Sequence, residues 1–96
     1  MPTRLTFEWD EAKAKENVRK HKIGFDEART VFADPLSVTI PDPYHSSDED
    51  RFLDIGLSCM QNLLIVVYTE RGSRIRIISS RKATRAERKV YEKYGN

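Results

Sequence analysis

One cysteine, Cys59, stands in the 96-residue chain, so no internal disulfide framework can form and cysteine alone cannot complete a zinc site. No apolar run approaches the ~20 residues that cross a bilayer, and the polar N-terminal stretch lacks the hydrophobic segment of a signal peptide. There is no Gly-rich phosphate loop, no nucleophile elbow and no dinucleotide fingerprint. The two histidines, His21 and His45, lie 24 positions apart in a predicted helix and a predicted loop, a poor match to local metal-ligand spacing. No metal and no other cofactor is therefore expected. These absences, with a chain too short for more than one economical core, predict a soluble, cytoplasmic protein with a single domain over residues 1–96.

What the chain has is charge. It is 39% hydrophobic and 33% charged, which places it among globular rather than disordered chains. The formal net charge of +2 conceals segregation. From Asp26 to Asp54 there are eight acids against two arginines, a local net of −6. From Arg71 to Lys93 there are nine Lys or Arg against two Glu, a local net of +7. Such a chain either presents a face for polyanions and another for basic partners, or neutralises the two halves within the fold.

Hydrophobic periodicity gives an α+β order. Leu5 to Trp9 alternates as a short opening strand. Asp10 is placed to cap a helix running to Lys22, with Gly24 as its stop. Lys13, Asn17 and His21 fall at i, i+4 and i+8 and line one stripe of it. Phe25-Asp26-Glu27-Ala28 opens a second short helix facing inward through Ala28, Val31 and Phe32, ended by Asp34-Pro35. Leu36 to Ile40 reads as a strand, and the following Pro- and Ser-rich segment as a loop. Three strands at close spacing, Arg51–Ser58, Leu63–Thr69 and Ile75–Ser80, predict an antiparallel meander. Leu63–Thr69 is apolar on both faces and belongs at the centre of the sheet. Thr84-x-x-Glu87 is a capping box opening a last helix, which by its apolar spacing buries Ala86, Val90 and Tyr94.

The polar residues suit phosphodiester chemistry without metal. In it a base removes the 2′-hydroxyl proton, an acid protonates the leaving oxygen and arginines stabilise the developing charge. His21 is of the type whose unperturbed pKa, about 6.5, fits proton transfer near neutrality; its ordinary alternative is a helix histidine satisfied by a neighbour. Arg76 inside a strand points to an open functional sheet face, or to a merely solvated one. Arg81 has the same roles available at the strand-to-helix connection, within the polar segment Ser79-Ser80-Arg81-Lys82. Arg51 opens a strand after Asp48-Glu49-Asp50 and is a third candidate cation, with pairing to those acids as the alternative. Glu49 is the candidate carboxylate. Lys13 and Asn17, sharing the His21 stripe, and Lys82 are candidate substrate contacts. Trp9 and Tyr91 read as packing residues rather than base-stacking platforms.

In combination these positions resemble a known family. The pattern begins Phe7-x-Trp9-Asp10-x-x-Lys13-x-x-x-Asn17-x-x-Lys20-His21 and continues Phe25-x-Glu27-Ala28-x-x-Val31-Phe32-x-Asp34-Pro35. It resumes at Glu49-x-Arg51, Gly56 and Val66-Val67-Tyr68-Thr69. It closes with Arg76-Ile77-Ile78-Ser79-x-Arg81-x-Ala83-Thr84-x-x-Glu87-x-x-x-Tyr91. This resembles the BrnT toxins of bacterial type II toxin–antitoxin pairs over nearly the whole chain. It departs from them at Met60-Gln61-Asn62, where a turn glycine is usual and where Asn62 can take the left-handed conformation instead. The resemblance implies a RelE-like α+β domain, with N-terminal helices on an antiparallel sheet and a C-terminal helix. It also implies a ribonuclease that inhibits growth by cleaving RNA. A BrnA-like DNA-binding antitoxin would neutralise it, and operator DNA would be reached only through that partner. Carried over by position, the functional residues are Lys13, His21, Glu49, Arg51, Arg76 and Arg81. The competing reading is a non-catalytic nucleic-acid-binding module that uses the basic C-terminal half, and a third is a partner-binding protein without activity.

Overall fold

The computed structural model describes residues 5–42 and 50–95. Strand β1 (Thr6–Glu8) is followed by helix α1 (Glu11–His21) and helix α2 (Phe25–Ala28), which runs on as a 3₁₀ turn over Arg29–Ala33. Strands β2 (Val38–Pro41), β3 (Arg51–Leu57), β4 (Leu63–Arg71) and β5 (Arg74–Lys82) come next, and helix α3 (Arg85–Tyr94) closes the chain. The sheet order is β1-β5-β4-β3-β2. β3 to β5 form the expected antiparallel meander and β2 extends it antiparallel to β3, but β1 lies parallel to β5, so the sheet is mixed rather than purely antiparallel. Three residues of alternating pattern in β1 carry no signal of their partner's direction, because that partner is far along the chain. Among the described residues no helix is long and apolar enough to cross a membrane.

β4 is central and buried on both faces from Leu63 to Val66, as its unbroken apolar run requires. Leu64, Val66 and Tyr68 face α1 and α2, in a core with Ile23, Phe25, Ala28, Val31, Ile75 and Ile77. Leu63 and Ile65 face the other way with Ile55, under Ala83 and the Val90 and Tyr91 of α3. Each fully buried Leu or Ile contributes ~1.5–3 kcal/mol of transfer free energy, so a strand serving two cores is the element the fold can least lose. Phe7, Phe32, Tyr68 and Phe52 form a run of ring contacts, with centroids 5.2, 4.9 and 5.7 Å apart. Trp9 packs edge-on against Phe25 at 5.8 Å and is a packing residue, as its sequence context suggests.

The helix ends obey local chemistry with two changes. Asp10 caps α1, its carboxylate accepting from the Lys13 amide. The left-handed residue that stops α1 is Lys22, φ 63°, whereas Gly24 is extended and precedes α2. In the β3–β4 turn the left-handed residue is Gln61, φ 64°, not Asn62. Gly72, φ +62°, supplies the turn between Arg71 and Arg74 as expected. The face of α3 also differs from the apolar spacing. Ala86 and Tyr94 are exposed, and Glu87, Val90 and Tyr91 point inward. Polar anchors turn the helix: Tyr91 Oη donates to Asp34 Oδ2 at 2.7 Å, and Glu87 accepts from Arg81. Asp34 also accepts from the Leu36 and Leu57 amides; burial acts to raise its carboxyl, but the Leu57 amide, the Tyr91 hydroxyl and the Leu36 amide together hold it below the usual range.

At Gly56 the 3₁₀ turn packs closely on the sheet. A Cβ there would sit 2.6 Å from Val31 Cγ1 and 3.1 Å from Ser37 Cβ. Val31 is itself fully buried in the core. Gly56→Ala is expected to cost ~1–3 kcal/mol by overpacking, read as a lower urea midpoint with an unchanged m-value. An unaltered midpoint would show that the 3₁₀ turn yields without cost.

Candidate active site

β5 places the candidate arginines, and it does so through an irregularity. In a regular strand alternate residues share a face, so positions 76 and 81, an odd number apart, would point to opposite sides of the sheet. The pairing with β4 slips in between: Val67 lies opposite Ser79 while Tyr68 lies opposite Ile77, leaving Ile78 as an extra residue in a β-bulge. Parity is thereby reversed. Arg76, opposite Thr69, and Arg81, opposite Ile65, both fall on the α3 side of the sheet, with Ser79 between them. Arg51 is also opposite Thr69, on β3. Arg51, Thr69, Arg76 and the Glu8 of β1 therefore form one row across four strands. Along β4 the Arg76 and Arg81 positions are four residues apart, about 13 Å at ~3.3 Å per residue.

Both candidate arginines of β5 hold carboxylates. Arg76 donates to Glu8 Oε2 at 3.0 Å, and Arg74 lies 3.1 Å from Glu8 Oε1. Arg81 donates through two nitrogens to both oxygens of Glu87 at 2.8 Å, a bidentate fork. Glu87 simultaneously accepts from the Thr84 amide while Thr84 Oγ1 accepts from the Glu87 amide, so the capping box and the arginine share one carboxylate. The Arg81 guanidinium, with the Thr84 amide, holds the Glu87 carboxyl down at about 2. Neither carboxylate is singled out for the site by the sequence. Glu8 is 68 positions from Arg76, and Glu87 has a sufficient local role as a cap.

The α1 stripe predicted from spacing comes together on the other flank of β5. Lys13, Glu16, Asn17, Lys20 and His21 form one wall of a pocket of about 180 Å³, and Ile78 and Ser79 of the bulge form the other. Ser79 thus belongs both to the arginine face and to the α1 pocket. Lys13, Lys20 and His21 are exposed at its rim, and Asn17 is buried in its floor. The basic last turn of α1 also complements the helix dipole.

Two candidate residues, Asn17 and Lys82, are placed differently from expectation. Asn17 is not a free substrate contact. Its amide donates to Ile23 O and Ser80 O, both at 2.8 Å, and accepts from Ser80 N at 3.0 Å. β1 ends opposite Arg76, and Asn17 supplies β5 with the peptide-like partner that a longer β1 would have offered. Lys82 is exposed and lies opposite Leu64, on the face away from Arg76 and Arg81, because the restored alternation after the bulge turns it there. Glu49 lies outside the described residues. A larger cavity, about 460 Å³, opens at the far end of β3 beside Thr30, Asp34, Leu57 and Cys59. It contains none of the candidate residues, and its one carboxylate, Asp34, already accepts three hydrogen bonds.

The Arg81–Glu87 fork has a pH signature. Glu87 has a folded pKa below its ordinary 4.5, so its contribution to stability is present above pH 4.5 and lost as pH falls toward about 2. A full shift of that size corresponds to ~3 kcal/mol; with the Arg81 side chain 40% exposed, solvent screening leaves ~1–2 kcal/mol. Glu87→Gln should lower the urea-derived stability by that amount at pH 7, and the gap from the parent should close near pH 2. A gap independent of pH would show that the carboxylate's charge is not what Arg81 uses.

This arrangement can be set beside known proteins. A family model described as the ribonuclease toxin BrnT of type II toxin–antitoxin systems matches residues 9–87. No curated protein matches significantly. The 1.1 Å crystal structure of the ribonuclease toxin BrnT of Brucella abortus is similar to this chain with a TM-score of 0.62 and 24% identity, over 85% of this chain and 100% of that one. The likeness of structure supports the shared fold, and the family match spans the two N-terminal helices, the meander and the start of α3. The chain belongs to the BrnT family of ribonuclease toxins of type II toxin–antitoxin systems.

Proposed function

We propose that the protein is a metal-independent endoribonuclease acting in the cytoplasm, inhibiting growth until a BrnA-like antitoxin covers it. The observation that carries this reading is the reversal of parity at Ile78, which puts Arg76, Arg81 and Arg51 on one face with Ser79 open to the His21 pocket. In the proposed reaction a phosphodiester lies over Ser79. A base takes the 2′-hydroxyl proton, the 2′-oxygen attacks phosphorus and the 5′-oxygen leaves with a proton, giving a 2′,3′-cyclic phosphate and a 5′-hydroxyl end. His21 is the group at the pocket rim suited to one of these proton transfers. The arginines stabilise the charge that grows on the phosphoryl oxygens, each such donor being worth ~10²–10³ in rate. Glu8 and Glu87 hold their guanidinium groups oriented until phosphate competes for the same donors. Glu49 is retained as a candidate carboxylate on sequence grounds alone.

The same carboxylate pairing supports the competing reading, in which the arginines are structural and the basic half only binds nucleic acid. RNA cleavage with a chelator present separates the two. Arg76→Ala and Arg81→Ala should each lower the rate at least ~100-fold, and Arg→Lys should restore only part of it because the planar fork is lost. Urea midpoints of each variant exclude unfolding as the cause. Near-parent rates in both alanine variants would overturn the assignment.

The antitoxin's contact with the basic cleft is expected to use carboxylates, since a cationic site is most simply blocked by opposite charge. Affinity of the toxin–antitoxin complex measured from 50 to 500 mM salt should then fall steadily, and a flat dependence would exclude that mode of inhibition.

A further inference from the structure

Among the described residues the outer edge of β5 has no strand partner at the bulge. β1 pairs with β5 only as far as Arg76, and Asn17 closes the edge at a single point, Ser80. Between those two points Ile78 and Ser79 face the α1 pocket. Its ionisable lining is three bases, Lys13, Lys20 and His21, and one acid, Glu16. That acid is already occupied: it accepts from the Arg19 guanidinium through two nitrogens and lies 3.7 Å from the Lys20 ammonium. The pocket's about 180 Å³ holds roughly six water volumes, well below the ~300 Å³ at which pockets for drug-sized ligands begin. It has the size of a hydrated tetrahedral oxyanion. Ser79 connects it to the arginine face, so a chain molecule bound there needs only to turn around the β5 edge to enter it.

We propose that this pocket is a second phosphate subsite, in which Lys13 and Lys20 hold the phosphate adjacent to the one on the arginine row. The inference rests on the reading of that row as the site of the scissile phosphate. Lys20 becomes a substrate-binding residue, and a substrate with two consecutive phosphodiesters gains over one with a single linkage. Asn17, by fixing the pocket floor to Ser80, is a positioning residue.

The test uses 2′-O-methyl oligouridylates with one and with two internucleotide phosphates, which cannot form the cyclic product, and measures their affinities by calorimetry at low salt. The parent should bind the two-phosphate probe roughly five- to tenfold tighter, the value of one charge-assisted contact at an exposed site. Lys13→Ala and Lys20→Ala should each reduce that preference severalfold and lower the salt slope for the longer probe by about 0.7 for each lysine removed. Lys20→Arg should keep the preference. Lys15→Ala, on the flank of α1 that lines the Trp9 groove, should leave it unaltered. Equal binding of both probes by the parent, or a preference that survives Lys13→Ala/Lys20→Ala, would overturn the subsite. Cleavage of unmodified RNA is measured in parallel. A parent that cleaves RNA while its preference ignores both lysines refutes the subsite and leaves the ribonuclease reading intact. A parent with a lysine-dependent preference and no cleavage refutes the ribonuclease reading and supports the pocket as a phosphate site.

Discussion

Ile78 is one residue more than its strand can pair, and the geometry of the candidate site follows from that excess. Side-chain direction in a strand is binary, so a single inserted residue transfers everything beyond it to the other face. Here the insertion brings Arg81 to the side occupied by Arg76 and Arg51, and it opens Ser79 toward α1. The strand beyond the bulge must then be held, because β1 no longer runs beside it. Asn17 holds it with both ends of one amide, from a helix 63 positions away. A buried amide with three of its four hydrogen-bonding positions filled is costly to replace by an apolar group. The bulge and the asparagine are in this sense one device.

The charge segregation of the sequence is resolved only in part within the fold. Three arginines of β5 find carboxylates, Arg74 and Arg76 on Glu8 of β1 and Arg81 on Glu87 of α3, and these pairs sit at the edge of solvent where the net gain is modest. Pairing of that kind aligns a guanidinium without neutralising the region. The acidic middle of the chain behaves differently. Asp54 is almost fully buried, accepting from Thr39 Oγ1 at 2.6 Å and Tyr68 Oη at 3.0 Å. Burial raises its pKa despite those bonds, and burial likewise pushes the Tyr68 hydroxyl up. It fixes β2 to β3 as a polar element of the fold, on the opposite face of the sheet from the arginine row.

Much of the architecture is readable in the sequence because it rests on local rules. The unbroken apolar run of β4 announces a strand buried on both faces, and Asp10, Thr84 with Glu87, and Gly72 announce caps and a turn through hydrogen bonds that span three residues or fewer. The i, i+4, i+8 stripe of Lys13, Asn17 and His21 is readable for the same reason, and the structure brings it to one pocket. Where expectation and structure part, a distant partner intervenes. The inward face of α3 departs from its apolar spacing because Arg81 and Asp34 draw in Glu87 and Tyr91. Asn17 looks available in the sequence because Ser80 and Ile23 cannot be seen from its helix.

The sequence by itself determined the order of elements, the centre of the sheet, the basic character of its last third and, through spaced motifs, the family. It did not contain the register of β5 against β4, the direction of β1 or the carboxylates that the arginines hold. Propensity and periodicity are summed over neighbours a few positions apart, whereas a bulge exists only relative to the strand it is paired with. Which face Arg81 occupies was therefore decided by tertiary structure alone, because it depends on one unpaired residue opposite Val67 and Tyr68.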